Sequence, residues 1–369
     1  MYNTDNVVLA TPGKFHAFYL ATELAKKGKL EGLYCSHRTI RPPAGIPWSK
    51  YRNRWDIGFR EALGKLGISL NFDKWKMFDE WLAKELSKQE PGVLHGWNGG
   101  VHKTFTTLKE RGWKLCVERS CPHNQVQIDL VIDEAKRLKL PFTYDHDRLK
   151  RSIEELYLAD TIVVPSYYSA SSYHDKALKD KVVINPLGAN FPFYPRDHHK
   201  TKDKFTILLV GNNFLRKGTH YLIEAFEKID DPNAELIIRG QVPPDYMERI
   251  KDERITILPT LLPEAFKKLY QKADVFVLPS IDEGFGMAAV EAMAYGLPLV
   301  VSENVGATQI LDDRVSVKVP IRSSEAIADA IMKAKDLPKN DQFDLARKEI
   351  LENNSWEKCV ERMIKDAYN

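Results

Sequence analysis

Short apolar runs alternate with helical patterns along almost all of this chain, and that alternation limits the folds open to it. The runs are continuously apolar, which is typical of strands buried on both faces of a parallel sheet. Parallel strands need a crossover connection, usually a helix, so the pattern predicts an α/β fold. The predicted strands are 6–10, 31–36, 93–95, 115–118, 142–144, 161–165, 182–185, 205–210, 235–239, 255–258, 275–278, 299–302 and 315–319. They exceed one ordinary sheet, so we expect two doubly wound, Rossmann-like domains.

A domain boundary is visible in the composition. The chain has 369 residues, long for one core, and residues 191–204 combine prolines with a polar stretch before a fresh apolar strand. We therefore predict an N-terminal domain over residues 1–195, a second domain over 196–350 and a last helical segment over 351–369. Ligands of such sheets bind at the carboxyl ends of the strands, so the cleft between the domains is the expected site.

Residues 40–90 differ from the rest of the chain. They hold four of the seven tryptophans, three prolines and many basic residues, which predicts a helical insertion between strands. Trp and basic side chains suit an interface with a membrane or an acceptor. Packing of a helical subdomain explains the same residues and is the interpretation that we favour.

Charge and cysteine content indicate the kind of partner and the cellular compartment of the protein. Residues 1–200 carry 31 Lys and Arg against 23 Asp and Glu, a net +8, and the remaining 23 against 28 leave −5. A basic half suits an anionic surface or substrate, although scattered solvated charge is an equal explanation. The four cysteines include no C-x-x-C pair, and no apolar run approaches the ~20 residues of a membrane span. With no signal-peptide pattern at residues 1–6, we expect a cytoplasmic protein.

The segment 280–296 carries the strongest chemical signal. It follows the predicted strand 275–278, turns at Gly284 and Gly286, and continues into a short helix that ends at Gly296. Free N–H groups at a helix N-terminus bind anions, and the carboxylates of Glu283 and Glu291 could hold hydroxyls of the same ligand. This combination suits a sugar nucleotide. The alternatives are a solvated helix carboxylate for Glu291 and a partner of the helix dipole at its N-terminus for Glu283.

A second anion-binding candidate follows the strand 205–210. Gly211 and Asn212 open a loop in which Arg216 and Lys217 precede a helix. Cations there oppose the helix dipole unless an anion is bound, and both could neutralise a leaving diphosphate. The alternative is that both are solvated surface cations. The Glu283–Glu291 segment in the same domain favours the anion-binding interpretation.

These motifs together resemble the retaining glycosyltransferases of the GT-B fold, in particular family 4. The resemblance is carried by the spacing of Glu283 and Glu291, by Gly211 with Arg216 and Lys217, and by 159–166 and 185–195, and it covers about residues 155–320. It implies a GT-B architecture in which two Rossmann-like domains face each other across a cleft. It also implies that the last helix crosses back to the N-terminal domain.

The resemblance assigns roles to individual residues. Arg216 and Lys217 would bind the donor diphosphate, Glu283 the transferred sugar and Glu291 the ribose. Backbone N–H groups would contact the sugar and phosphate at the following four residues: Phe285, Gly286, Met287 and Ala288. A histidine after the second N-terminal strand end faces the sugar in this family, and His123 fits best, with His95 second and Glu118 a further polar candidate. A structural role for His123 is about as well supported.

The chain departs from the family pattern at three places. Asn212 stands where the family often has Arg, Gln309 lies where the family has a Gly-Gly-x-x-Glu segment, and the N-terminal glycine-rich loop is reduced to residues 11–16. Gly13 remains a candidate for close approach to the donor. We find no convincing metal-ligand spacing and expect neither a metal nor a cofactor.

The sequence thus predicts a retaining, metal-independent glycosyltransferase with a UDP- or GDP-linked sugar as donor. Its acceptor would be a glycan or a lipid-linked molecule of cell-surface polysaccharide synthesis, with peripheral contact to the inner face of an anionic membrane and no nucleic-acid partner. A GT-B epimerase and a non-catalytic sugar-nucleotide-binding protein are the alternatives. Donor identity, linkage and oligomeric state cannot be read from the sequence.

Overall fold

The computed structural model describes residues 6–37, 40–65, 72–195, 204–258 and 263–369. Within these ranges the chain forms one seven-stranded and one six-stranded sheet, with parallel pairing throughout both. The two-sheet α/β prediction is confirmed. The predicted boundary between residues 195 and 196 borders residues 196–203, which lie outside the described ranges.

The N-terminal sheet has the strand order β3-β2-β1-β4-β5-β6-β7, so the direction of strand addition reverses between β1 and β4. Its central strands are fully buried. The strands are β1 (Val7–Thr11), β2 (Leu30–Cys35), β3 (Tyr51–Asn53), β4 (Val93–Trp97), β5 (Lys114–Glu118), β6 (Thr161–Val164) and β7 (Val182–Ile184). The helices are α1 (Ala17–Lys26), α2 (Trp55–Lys65), α3 (Lys74–Leu86), α4 (His102–Leu108), α5 (Asn124–Leu138), α6 (His146–Leu158), α7 (Tyr167–Ser171) and α8 (Lys176–Lys179).

The C-terminal sheet has the order β10-β9-β8-β11-β12-β13, with its reversal between β8 and β11. The strands are β8 (Phe205–Val210), β9 (Ala234–Arg239), β10 (Ile255–Leu258), β11 (Val275–Leu278), β12 (Leu299–Ser302) and β13 (Ser316–Val319). The helices are α9 (Thr219–Glu227), α10 (Pro244–Met247), α11 (Pro263–Lys272), α12 (Met287–Ala294), α13 (Ser324–Lys335), α14 (Asp341–Asn353) and α15 (Trp356–Met363). Short 3-10 turns span Trp48–Lys50, Lys109–Arg111 and Gly306–Gln309, and a π-helical turn spans Ile364–Tyr368.

One predicted strand is absent from the structure, and one observed strand was not predicted. Residues 142–144 form no strand, because β5 pairs directly with β6 and leaves no position between them. Instead Phe142 is exposed and lies against the ring of Tyr144. Sequence reasoning also missed β3, an edge strand inside the insertion predicted as helical. Its three residues are too few for a periodicity, and tertiary pairing with β2 forms it.

The end of the chain packs on the N-terminal sheet. The Cys116 thiol of β5 donates a hydrogen bond to the Ala367 carbonyl (Sγ–O 3.4 Å), and the Tyr368 hydroxyl lies 3.1 Å from Nδ1 of His95 in β4. Both Ala367 and Tyr368 are fully buried. Residues after α14 therefore join the two domains by a second route, in addition to the chain around residues 185–205.

Candidate active site

Two loops of the C-terminal domain meet at the reversal of strand order. One follows β8 and leads to α9, and the other follows β11 and leads to α12; β8 and β11 are adjacent in the sheet. Ligands of open parallel sheets bind outside the carboxyl ends of strands at such a point. The N–H of Ile281 donates to the carbonyl of Arg216 at 2.9 Å, so the two loops are joined directly.

Lys217 and Glu283 form an ion pair across these loops. Their side chains are 16% and 17% exposed, so both are mostly shielded yet reachable from the cleft. Burial acts to raise the pKa of Glu283, but the charges of Lys217 and Arg216 outweigh it and hold that pKa below its usual range. Glu283 is therefore a carboxylate at neutral pH, able to accept hydrogen bonds from ligand hydroxyls.

Arg216 is held by a carboxylate that the sequence did not single out. Its Nε donates to Oδ2 of Asp282 at 2.8 Å, and Asp282 is fully buried. Gln127 of the N-terminal domain donates to the same oxygen at 2.6 Å. Arg216 also lies 3.3 Å from the Cys121 sulfur. The guanidinium is thus oriented by both domains, and only the tertiary structure could bring Gln127 and Cys121 to it.

The N-terminus of α12 lies beside this cluster. Gly286 is its N-cap residue with φ +96°, a left-handed conformation that glycine adopts without strain, and its N–H points to the Glu283 carboxylate. Met287 and Ala288 follow in the first turn and are partly exposed, whereas the Phe285 side chain is buried in the core. The free N–H groups of this turn are suited to an anion.

Glu291 lies farther along α12 and is linked to aromatic residues. The hydroxyl of buried Tyr270 donates to Oε2 of Glu291 at 3.0 Å. Tyr270 stacks on Tyr295, which in turn stacks on Tyr194 with ring centroids 4.2 Å apart. Burial raises the pKa of Glu291, although the Tyr270 hydroxyl opposes that rise. The Glu291 carboxylate suits the ribose hydroxyls, which is the role predicted for it, and the flat rings beside it would suit the attached base.

The remaining donor-site candidates have clear positions. Gly211 lies against Lys217, since a Cβ there would come within 2.8 Å of the lysine side chain. Asn212 is exposed in the same loop. Gly13 lies in the β1–α1 loop, where a Cβ would come within 3.0 Å of the exposed Phe15 ring. Gly211 and Asn212 thus adjoin the Lys217–Glu283 pair, whereas the contacts of Gly13 are within its own loop.

His123 serves as the N-cap residue of α5. Its Nδ1 accepts a hydrogen bond from the Gln125 N–H at 3.3 Å, its ring meets Tyr173 edge-on, and its own N–H donates to Ser172. Burial and the neighbouring Arg119 lower the pKa of His123, which favours the neutral ring. None of these contacts reaches Lys217 or Glu283, and the catalytic role of His123 stays a prediction.

His95 and Glu118 belong to a buried group that also contains His16. The Glu118 carboxylate contacts His16 and lies 3.1 Å from Nε2 of fully buried His95. Burial acts to raise the pKa of Glu118, but the two histidines hold it far below the usual range. His16 stacks on Trp356 and is 15% exposed, so it is the member of this group nearest to solvent. His16 was not among the residues predicted for the site, although it lies three residues after Gly13 in the chain.

The Gln309 departure has a structural consequence. Its Nε2 donates to the Pro165 carbonyl and its Oε1 accepts from the Tyr167 N–H, both at 2.9 Å. Nearby, the Ser166 hydroxyl donates to the Gly284 carbonyl at 2.7 Å. Ser166 therefore fastens the loop that carries Glu283 to the N-terminal domain, and Gln309 fastens the 306–309 turn to the same segment between β6 and α7.

Comparison with known proteins shows what this chain is similar to. Residues 190–354 match the family model described as glycosyl transferases group 1. The C-terminal part of the chain is thus similar to the group 1 glycosyltransferases. The fold superposes on sucrose-phosphate synthase from Thermosynechococcus elongatus with a TM-score of 0.70 at 20% identity, covering 98% of this chain and 97% of that one. The GT-B fold and the predicted family resemblance are confirmed.

Two curated relatives show how far the similarity extends. An uncharacterised glycosyltransferase of Methanocaldococcus jannaschii is 33% identical over 172 residues, 44% of either chain. The lipopolysaccharide 1,2-N-acetylglucosaminetransferase of Salmonella typhimurium is 24% identical over 367 residues, 88% of this chain and 87% of that enzyme. The match to the first relative thus spans less than half of its length.

Proposed function

We propose that the chain is a retaining, metal-independent glycosyltransferase of the hexosyltransferase kind. It would move a sugar from a UDP- or GDP-linked donor to a glycan or lipid-linked acceptor in cell-surface polysaccharide or glycoconjugate synthesis. The observation that carries this proposal is the convergence of Lys217, Arg216 and Glu283 at the N-terminus of α12, between two domains. A relative named for lipopolysaccharide synthesis supports the acceptor class.

The donor fits the cluster by charge. The diphosphate would lie against Lys217, Arg216 and the free N–H groups of Met287 and Ala288, which supply the positive charge that a leaving diphosphate needs. Glu283, held ionised, would accept hydrogen bonds from hydroxyls of the transferred sugar. Glu291 would take the ribose hydroxyls. Because protein cations stabilise the leaving group here, the proposed reaction needs no metal.

The acceptor would approach from the N-terminal domain. In a front-side reaction the bond from the anomeric carbon to the diphosphate breaks as the bond to the acceptor hydroxyl forms on the same face. The departing phosphate oxygen takes the acceptor proton, so configuration at the anomeric carbon is retained. The Gln127–Asp282 and Ser166–Gly284 hydrogen bonds close the domains over the site, which would exclude water and limit donor hydrolysis.

The test is transfer and donor binding in Lys217→Met and Glu283→Gln. We expect at least one nucleotide of a UDP and GDP panel to raise the unfolding temperature of the wild type. We expect kcat/KM to fall at least ~100-fold in each variant, as it does in other enzymes when one charge-stabilising group is removed. Their double variant should lose more activity than either single variant, since the two side chains would contact different parts of the bound donor. Lys27→Met and Glu361→Gln, which break an exposed ion pair of 2.9 Å, are the matched controls. Wild-type transfer by both site variants would refute the assignment.

We further propose that the enzyme works in the cytoplasm at the inner face of an anionic membrane. Within the described ranges, no helix is long and apolar enough to span a bilayer. The insertion instead exposes Trp48, Trp55 and Phe59 to between 52% and 61%, with Arg52 and Arg60 exposed beside them. Trp55 and Phe59 are four residues apart and share one face of α2. Aromatic and basic side chains together suit an anionic interface.

Vesicle binding tests this surface. The wild type should co-sediment with vesicles of phosphatidylglycerol and phosphatidylcholine but not with phosphatidylcholine alone, and salt should weaken the binding. Trp55→Ser with Phe59→Ser should lower the bound fraction several-fold. Met332→Ser with Leu345→Ser, which removes two exposed apolar side chains from the other domain, is the control. Equal binding by both double variants would exclude α2 as the contact.

A further inference from the structure

A cavity of about 230 Å³ opens at the carboxyl ends of β4 and β5 in the N-terminal domain. We call it the arginine pocket, because Arg119 and Arg148 line it with Asn98, Asn124 and Gln127. The first turns of α5 and α6 form two of its walls, so two helix N-termini lie beside it. This local field favours an anion.

The two arginines differ in what holds them. Arg119 donates to the Pro122 carbonyl at 2.9 Å and to Oε1 of Gln127 at 2.8 Å, and both of these acceptors are neutral. The Arg148 guanidinium lies 4.3 Å above the Trp75 ring and has no ion pair among the described residues. The one carboxylate lining the pocket, Asp145, accepts the backbone N–H of Arg148 at 2.9 Å as the N-cap of α6. The pocket therefore holds two cations against one anion.

The amides of the pocket are arranged for a polar ligand. Asn98 donates to the Ser152 carbonyl at 2.7 Å and accepts from Asn124 at 2.9 Å, which fixes both side chains. Asn124 is 6% exposed, and its Oδ1 has no hydrogen-bond partner among the described residues. A buried acceptor without a donor costs free energy, and a ligand hydroxyl would supply that donor.

The arginine pocket adjoins the proposed donor site through one side chain. Gln127, which accepts from Arg119, donates to the Asp282 carboxylate that orients Arg216. A group bound between Arg119 and Arg148 would thus lie on the acceptor side of the diphosphate cluster. We propose that the arginine pocket binds an oxyanion of the acceptor, a phosphate or a carboxylate, and so selects an anionic acceptor over a neutral one. The selection of an acceptor rests on the proposed transferase function, whereas the binding of an oxyanion can be tested without it.

The test uses inorganic phosphate and acetate as probes, titrated calorimetrically into full-length protein saturated with UDP or GDP to fill the donor site. Wild type should bind at least one probe, and Arg148→Gln should weaken that binding ten-fold or more because a planar guanidinium pairs bidentately with oxyanions. Lys150→Gln, which removes an exposed cation from the same helix, should leave it unchanged. Tighter phosphate binding identifies a phosphorylated acceptor, and tighter acetate binding identifies a uronic-acid type.

Arg119→Gln is the second variant, in case one substitution disturbs the fold. Unchanged affinity in both arginine variants, or no binding of either probe by the wild type, would overturn the proposal. If neither nucleotide binds, the donor assignment fails separately. The phosphate titration then compares Lys217→Met with Lys217→Met plus Arg148→Gln, both without nucleotide. One of the two donor-site cations is gone from both proteins, and they differ only in the arginine pocket.

Discussion

At the scale of single residues, the two cations of the site are paired with its own carboxylates. Lys217 pairs with Glu283, and Arg216 with Asp282. A diphosphate would compete for Lys217 and release Glu283 toward sugar hydroxyls, whereas Arg216 would keep Asp282 as its orienting partner. Removing Lys217 alone leaves a mostly shielded carboxylate unpaired, so Lys217 variants need a check of folding beside the activity assay.

A second residue-scale prediction concerns Glu155 of α6, which is 1% exposed and accepts the N–H groups of Gly99 and Val101. Burial raises its pKa to about 8, against the opposing effect of those N–H groups. The folded chain then keeps a proton that the unfolded chain releases near its ordinary pKa of 4.5. The free energy of unfolding should therefore fall as pH rises from 4.5 to 8, by up to about 1.4 kcal/mol per pH unit.

Urea unfolding across this pH range measures the effect. Glu155→Gln should flatten the slope, and Asp147→Asn, which alters an exposed carboxylate on the same helix, should keep it. Identical slopes in wild type and Glu155→Gln would show that the carboxyl is ionised throughout, with the N–H groups outweighing burial.

At the scale of elements, two glycines allow the β11–α12 loop to pack directly against neighbouring backbone. A Cβ on Gly284 would lie 2.0 Å from the Ser120 carbonyl oxygen, and one on Gly306 would lie 1.9 Å from the Gly284 oxygen. Ser120 belongs to the N-terminal domain, so this packing sets the distance between the domains at the site. The need for glycine at position 284 therefore comes from the opposite domain.

Gly284→Ala should push the two loops apart. We expect kcat/KM to fall at least ~10-fold and stability to drop by about 1–3 kcal/mol, as overpacking does in other cores. Gly28→Ala is the control, since Gly28 has φ +71° and a methyl group added there would meet nothing within 4 Å. It should lose stability through backbone strain and leave activity unchanged. An unaffected Gly284→Ala enzyme would mean that the domains open in the working state.

At the scale of the whole molecule, a second set of contacts joins the domains away from the site. Glu134 of α5 is fully buried and accepts hydrogen bonds from Tyr221 and Arg322 of the C-terminal domain, with His220 at 2.9 Å. Arg322 also pairs with Asp133 at 2.8 Å. Because α5 also carries Gln127 and lines the arginine pocket, this one helix connects both domain contacts.

Arg322→Ala removes two ion pairs between the domains while Glu134 keeps His220 and Tyr221. We expect a lower unfolding temperature and a larger radius of gyration in small-angle X-ray scattering, restored toward wild type by the donor nucleotide. Arg314→Ala breaks comparable pairs within the C-terminal domain and should leave the radius unchanged. A wild-type radius in Arg322→Ala would show that the C-terminal segment and the Asp282 contacts hold the domains by themselves.

The sequence by itself determined the two parallel sheets, because continuously apolar strands between helices are buried on both faces only when helices cover both sides of a parallel sheet. It also determined the local chemistry of Lys217, Glu283 and α12, whose glycine turns and charges lie within short stretches of chain. The tertiary structure alone decided what faces these stretches. Gln127 and Asp282, the His16–Glu118–His95 group, the edge strand β3 and the arginine pocket each depend on residues far apart in sequence. Such pairings follow from how the elements and the two domains pack, and the periodicity of the sequence does not predict that packing.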